Sequence, residues 1–165
     1  MEYRAKEFAT LAHEKVGQKR KYTGEPYINH PAAVVELVRG VKHTNAMLCA
    51  AWLHDTVEDC GISLDEIERI FGFEVASLVD QLTDVSKPSD GNRATRKAID
   101  RDHIAKATPE AKTIKLADLI DNTHSIVERD PSFARVYLKE KMLLLEVLRE
   151  GDSALWNEAH RLAVG

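Results

Sequence analysis

The chain has 165 residues, 44% of them hydrophobic and 30% charged, with 23 Lys plus Arg against 27 Asp plus Glu and a formal net charge of −4. That length suits one domain of ~150 residues, which buries roughly 68–70% of its unfolded surface and folds without disulfides or a structural metal. The acidic balance excludes a nucleic-acid-coating protein, which needs clustered cations, and no apolar stretch reaches the ~18 residues of a membrane helix.

The opening run MEYRAKEFATLAHEK mixes charges through its apolar positions, unlike a signal peptide. Phe8, Leu11, Ala12 and Val16 fall at helical steps and predict a first helix. A basic, turn-rich run from Gly17 to Pro26 ends it. Asn29-His30-Pro31 then reads as a helix start, with Asn29 able to cap and Pro31 suited to the first turn of a helix reaching about Arg39.

Thr44 opens a third helix, Ala46 to Leu53, that is apolar nearly all round and therefore central to the core. It runs straight into His54-Asp55-Thr56-Val57-Glu58-Asp59, and Gly61 stops it. Ser63 and Glu66 form a capping box for Leu64 to Phe71, closed by Gly72, and Phe73 to about Leu82 follows. Residues 84 to 95 are polar and rich in breakers, and read as a mobile loop.

Thr108-Pro109 begins a long helix to about Val127. Asp130-Pro131 caps another, with Val136, Leu138, Met142, Leu143, Leu145 and Leu148 as its apolar stripe, and Ser153 begins a short terminal helix holding Trp156. The chain thus reads as one all-α domain, residues 1–165, of about eight helices. Cys49 and Cys60 stand outside any CxxC or zinc-knuckle spacing, as in a reduced, cytoplasmic chain.

Several polar residues sit where the pattern asks for apolar ones. His54-Asp55 is attached to the most apolar helix, and a buried carboxylate costs several kcal/mol unless it is paired or bound to a cation. Glu58 and Asp59 follow one turn on, so a continuous helix would end in acids that oppose its dipole, a conflict a cation would relieve. Asp118 interrupts the apolar series Ile114, Leu116, Ala117, Leu119, Ile120; either it faces water with Lys115 and Asn122, or it is a ligand. His30 is either a capping histidine or a third contributor.

Taken together, His30, His54, Asp55 and Asp118 would supply four N and O ligands and leave positions open for water and substrate, as metal-assisted hydrolysis requires. Lys19-Arg20-Lys21 and the trio Arg93, Arg96 and Lys97 bracket these residues and suit a polyanion such as a phosphate ester. Tyr27 or Arg20 could stack on a base, and Glu58 could take a proton from an attacking water.

Three stretches in order carry a family resemblance: Arg20-Lys21 with Gly24-Glu25-Pro26-Tyr27-Ile28-Asn29-His30-Pro31, then Ala51 to Asp59, then Ile114-Lys115-Leu116-Ala117-Asp118. They resemble the HD hydrolase domain of the RelA/SpoT proteins, and above all the stand-alone small alarmone hydrolases of the stringent response. The resemblance runs from about residue 4 to residue 127. It implies an all-α HD-domain fold with one Mn²⁺ held by His30, His54, Asp55 and Asp118. Glu58 and Asp59 match the acidic pair that positions and activates water, Asn122 a residue near the nucleoside sugar, and Arg20 the arginine of the nucleotide pocket. The implied reaction removes the 3′-pyrophosphate of (p)ppGpp.

Two other readings use the same residues. One is an HD phosphohydrolase for another nucleotide (NADPH, a nucleoside mono- or triphosphate), since Asp121, Thr123 and His124 differ from the usual family residues. The other is a nucleotide-binding module without turnover.

Overall fold

The computed structural model describes residues 1–164, and among them it contains ten α-helices, one 3₁₀ turn at Pro88–Asp90 and no strand. The all-helical expectation holds, with two helices more than the periodicity suggested. Two compact units divide between Thr83 and Asp84.

The first unit is built on α3 (Asn45–Leu53), every residue of which from Ala46 onward is buried. Thr44 caps it, its hydroxyl accepting from the Met47 amide at 3.2 Å. Packed against α3 are α1 (Glu2–Lys15), α2 (Asn29–Arg39) and α6 (Phe73–Leu82). Ala5 and Ala9 let α1 approach closely, and Glu2 ties its start down by bonding Arg39 and the Trp52 indole. The helix α2 begins one residue earlier than a cap at Asn29 would place it: Ile28 is the capping position, and the Asn29 amide instead donates to Glu25.

The apolar run and the HD pair do not form one helix. The chain breaks at His54 and Asp55 and restarts as α4 (Thr56–Cys60), which Gly61 ends at φ +68°. The break has a chemical cause. His54 Nδ1 donates to Ala51 O at 2.6 Å and Thr56 Oγ1 to Leu53 O at 2.8 Å, so side chains satisfy carbonyls that the next helical turn would have used. Glu58 and Asp59 therefore lie in the first turn of α4, where the dipole favours acids. The conflict expected from a continuous helix does not arise. Ser63 then caps α5 (Leu64–Phe71) by accepting from the Glu66 amide.

The second unit is organised by α8 (Pro109–Arg129), against which α9 (Pro131–Val147) and α10 (Ser153–Val164) pack. Thr108 and Asp130 cap α8 and α9 as their positions predict. The stripe on α9 is different from the one read in sequence. Val136, Met142 and Leu143 are exposed, and the buried face is Ala134, Lys141 and Leu145, continued by Leu148 beyond the helix end.

Residues 84 to 95 are only partly loop. Asp100 fastens the chain there, accepting from the amides of Val85 and Ser86 and from the Ser86 hydroxyl. Asn92 then caps α7 (Arg93–Ala105), a helix whose one buried residue is Ile104 and which is attached to α9 through Arg93 and Glu140.

Candidate metal centre

Neighbouring side chains on a continuous helix point about 100° apart and do not face one another. The break at residues 54 and 55 removes that obstacle, and His54 Nε2 comes to 3.1 Å from Asp55 Oδ2. From the first turn of α2, His30 Nε2 reaches the same oxygen at 3.8 Å. The three ligand atoms all lie within 4.8 Å of one another, with both histidines buried and Asp55 partly exposed.

The donor set fits a divalent ion. Because a carbonyl oxygen only accepts, the bond to Ala51 O puts the hydrogen of His54 on Nδ1 and directs the Nε2 lone pair at Asp55. Two imidazole nitrogens with one carboxylate oxygen suit borderline transition metals better than Ca²⁺ or Mg²⁺. Tyr27 adds an outer partner: its hydroxyl donates to Asp55 Oδ2 at 2.5 Å, and its ring lies 5.7 Å from that of His30.

On α4, Asp59 accepts from Gln18 Nε2 at 3.1 Å, and burial pushes its carboxyl above the usual range. Glu58 is exposed on the same short helix. Arg20 and Lys21 stand in a turn closed by Arg20 N to Glu25 O and Gly24 N to Arg20 O, with Lys21 over the Tyr22 ring.

Within the second unit, Asp118 is buried, not water-facing. It does share a face with Lys115 and Asn122: Lys115 Nζ donates to Oδ2 at 3.0 Å and Asn122 Nδ2 to Oδ1 at 3.2 Å. Arg93 spends two donors on Glu140 and lies over the Phe133 ring, while Arg96 and Lys97 follow it on α7, half-buried. Of the residues that sequence reasoning left without a part in the site, Gln18 bonds Asp59 and His13 bonds Gln18. Their signal was weak: a lone histidine on a helix and a glutamine in a turn carry no pattern.

The chain matches the model of the HD domain over residues 5–145. It is 37% identical over 133 residues to a probable guanosine-3′,5′-bis(diphosphate) 3′-pyrophosphohydrolase of Synechocystis, 79% of this chain but only 18% of that protein. With the guanosine-3′,5′-bis(diphosphate) 3′-pyrophosphohydrolase MESH1 of Xenopus tropicalis it shares 37% identity over 130 residues, 76% of this chain and 70% of the relative. Among solved structures, a metazoan ortholog of SpoT described as hydrolysing ppGpp superposes with a TM-score of 0.85 at 28% identity, over 98% of this chain and 92% of that one. The family model spans the three stretches of sequence that hold the paired histidines and both aspartates, and the chain belongs to the HD-domain family.

Proposed function

We propose that the chain is a metal-dependent nucleotide pyrophosphohydrolase that removes the 3′-pyrophosphate of guanosine tetra- or pentaphosphate, with Mn²⁺ as its ion and residues 1–165 acting as a single HD-type domain in the cytoplasm. The observation that carries this reading is the convergence of His30 Nε2 and His54 Nε2 on Asp55 Oδ2 at a helix break. The names of the relatives supply the substrate class. Two free cysteines agree with a reducing compartment.

His30, His54 and Asp55 hold the ion, and Asp118, a buried carboxylate of α8, is the fourth ligand. A divalent ion in such a set supplies Lewis acidity toward a phosphoryl oxygen and lowers the pKa of water. Glu58, exposed in the first turn of α4, takes the proton of the attacking water, and Asp59 orients that water. Arg20, Lys21, Arg93, Arg96 and Lys97 meet phosphates, Tyr27 flanks the base and Asn122 the sugar.

The test is a substrate panel. Purified protein with Mn²⁺ should release pyrophosphate from ppGpp; single-phosphate release from another nucleotide with no ppGpp turnover would overturn the assignment. Glu58→Gln should lose about 100-fold or more in kcat while retaining metal and nucleotide. An unchanged kcat would remove Glu58 from the mechanism.

A further inference from the structure

Asp59 does not stand alone on α4. Its Oδ2 accepts from Gln18 Nε2 at 3.1 Å, across 41 positions of sequence. Gln18 is in turn held on both sides by backbone. Its amide donates to His13 O, and its carbonyl accepts from the Tyr27 amide. The side chain therefore starts from a fixed position between the end of α1 and the strand-like bridge of Lys19 with Pro26.

The polarity of this contact is dictated by chemistry. An ionised carboxylate offers only acceptors, so Gln18 must turn its NH₂ to Asp59 and its Oε1 the other way. That Oε1 lies 2.8 Å from His13 Nδ1. An amide oxygen also only accepts, so Nδ1 of His13 must carry a hydrogen. The His13 side chain is 1% exposed, and its other nitrogen, Nε2, is buried with no hydrogen-bond partner among the described residues. With hydrogen on Nδ1, Cys60 Sγ is a second acceptor for it at 3.3 Å, and the Tyr27 ring lies 4.7 Å from the imidazole. A histidine kept only for packing would not need one ring nitrogen committed and the other left bare, and a leucine would fill the volume without that cost.

We propose that His13 is a positioning residue: by donating from Nδ1 it fixes the orientation of the Gln18 amide, and through Gln18 it sets where the Asp59 carboxylate stands. This rests on the reading of Asp59 as one of the catalytic pair. Without the His13 donor the Gln18 amide is free to rotate, and its oxygen would then repel Asp59.

Two measurements test it. The first needs no turnover: in the metal-free, ¹⁵N-labelled protein the imidazole shifts of His13 should show hydrogen on Nδ1, and Gln18→Leu should abolish that preference. Hydrogen on Nε2 alone would overturn the proposal. The second is steady-state hydrolysis of ppGpp with Mn²⁺. Gln18→Leu and His13→Leu should each lower kcat about tenfold to hundredfold, as misplacement of a catalytic group does. KM should stay within about threefold, the mark of a group acting in the transition state. His13→Asn, whose side-chain NH₂ can donate from the place of Nδ1, should recover most of the lost kcat. Equal loss in His13→Asn and His13→Leu would mean that the residue only packs, and overturn the proposal. Should His13→Leu fail to fold, the imidazole shifts of His13 in the wild type decide the same point. Asp59→Asn serves as the control. If it turns over like the wild type, or if the wild type leaves ppGpp intact, the functional reading fails and the tautomer measurement alone judges the His13–Gln18 pair.

Discussion

Tyr27 and Asp55 share a 2.5 Å hydrogen bond, and the carboxylate oxygen that accepts it is the one both histidine nitrogens face. The tyrosine that sequence reasoning places beside a nucleotide base thus also bonds the aspartate proposed as a metal ligand. Loss of such an outer partner typically costs 10–100-fold in metal affinity. Tyr27→Phe keeps the ring and deletes only the donor, so Mn²⁺ affinity measured by titration calorimetry should fall by about that factor. Unchanged affinity would show that Asp55 needs no support from Tyr27.

Metal removal gives a second prediction. Mn²⁺ at about a hundred times its Kd should stabilise the fold by about 2.7 kcal/mol. For a chain this long that is a Tm rise of roughly 5–10 °C. Thermal melts with and without EDTA read it directly, and Asp55→Ala should abolish the rise. An equal rise in Asp55→Ala would place the ion elsewhere.

Lys141 supplies a pH prediction with a definite sign. Its side chain is 1% exposed, with Nζ donating to Thr123 Oγ1, and burial lowers its pKa from 10.5 to about 8. Below about pH 8 the folded state carries a buried charge that the unfolded chain solvates. Between about pH 8 and 10.5 the unfolded chain binds more protons, so the contribution of this group to stability rises with pH across that window. The full change is on the order of 3 kcal/mol. In urea unfolding, the stability of Lys141→Met relative to wild type should therefore shrink from neutral pH to about pH 10. A pH-independent difference would mean that Lys141 titrates normally.

Gly151 tests the packing of α8 and α10. A methyl group there would meet Leu116 Cδ1 at 2.7 Å and the backbone of Lys112 and Thr113 at 3.1 Å. The leucine tip can move; the helix backbone cannot. Gly151→Ala should cost about 1–3 kcal/mol, as overpacking does. A Tm within a degree of wild type would show that the segment shifts freely.

How much was legible from sequence follows from which interactions are local. The caps at Thr44, Ser63, Thr108 and Asp130 were readable because each bonds an amide three residues on. The pairing of His54 with Asp55 was readable as chemistry, but the break that makes it geometrically feasible was not. The apolar run continues unchanged to Leu53, and the bonds that end the helix come from side chains beyond it. The helix α7 was missed because an amphipathic pattern requires an apolar face, and its docking uses Arg93 on Glu140. Lys141 was passed over on α9 for the opposite reason, since a buried lysine reads as a surface residue. The contacts of Gln18 and Tyr27 with acids 41 and 28 positions away are visible only once the chain is folded.

The clamp formed by Asp100 has a consequence for how the protein meets proteases. One carboxylate secures the amides of Val85 and Ser86 and the Ser86 hydroxyl, just past the point where the first compact unit ends. Replacing Asp100 with alanine would release three anchors at one stroke. The stretch from Val85 to Lys87 would then become a preferred cleavage point for a protease of broad specificity, leaving two fragments of nearly equal mass.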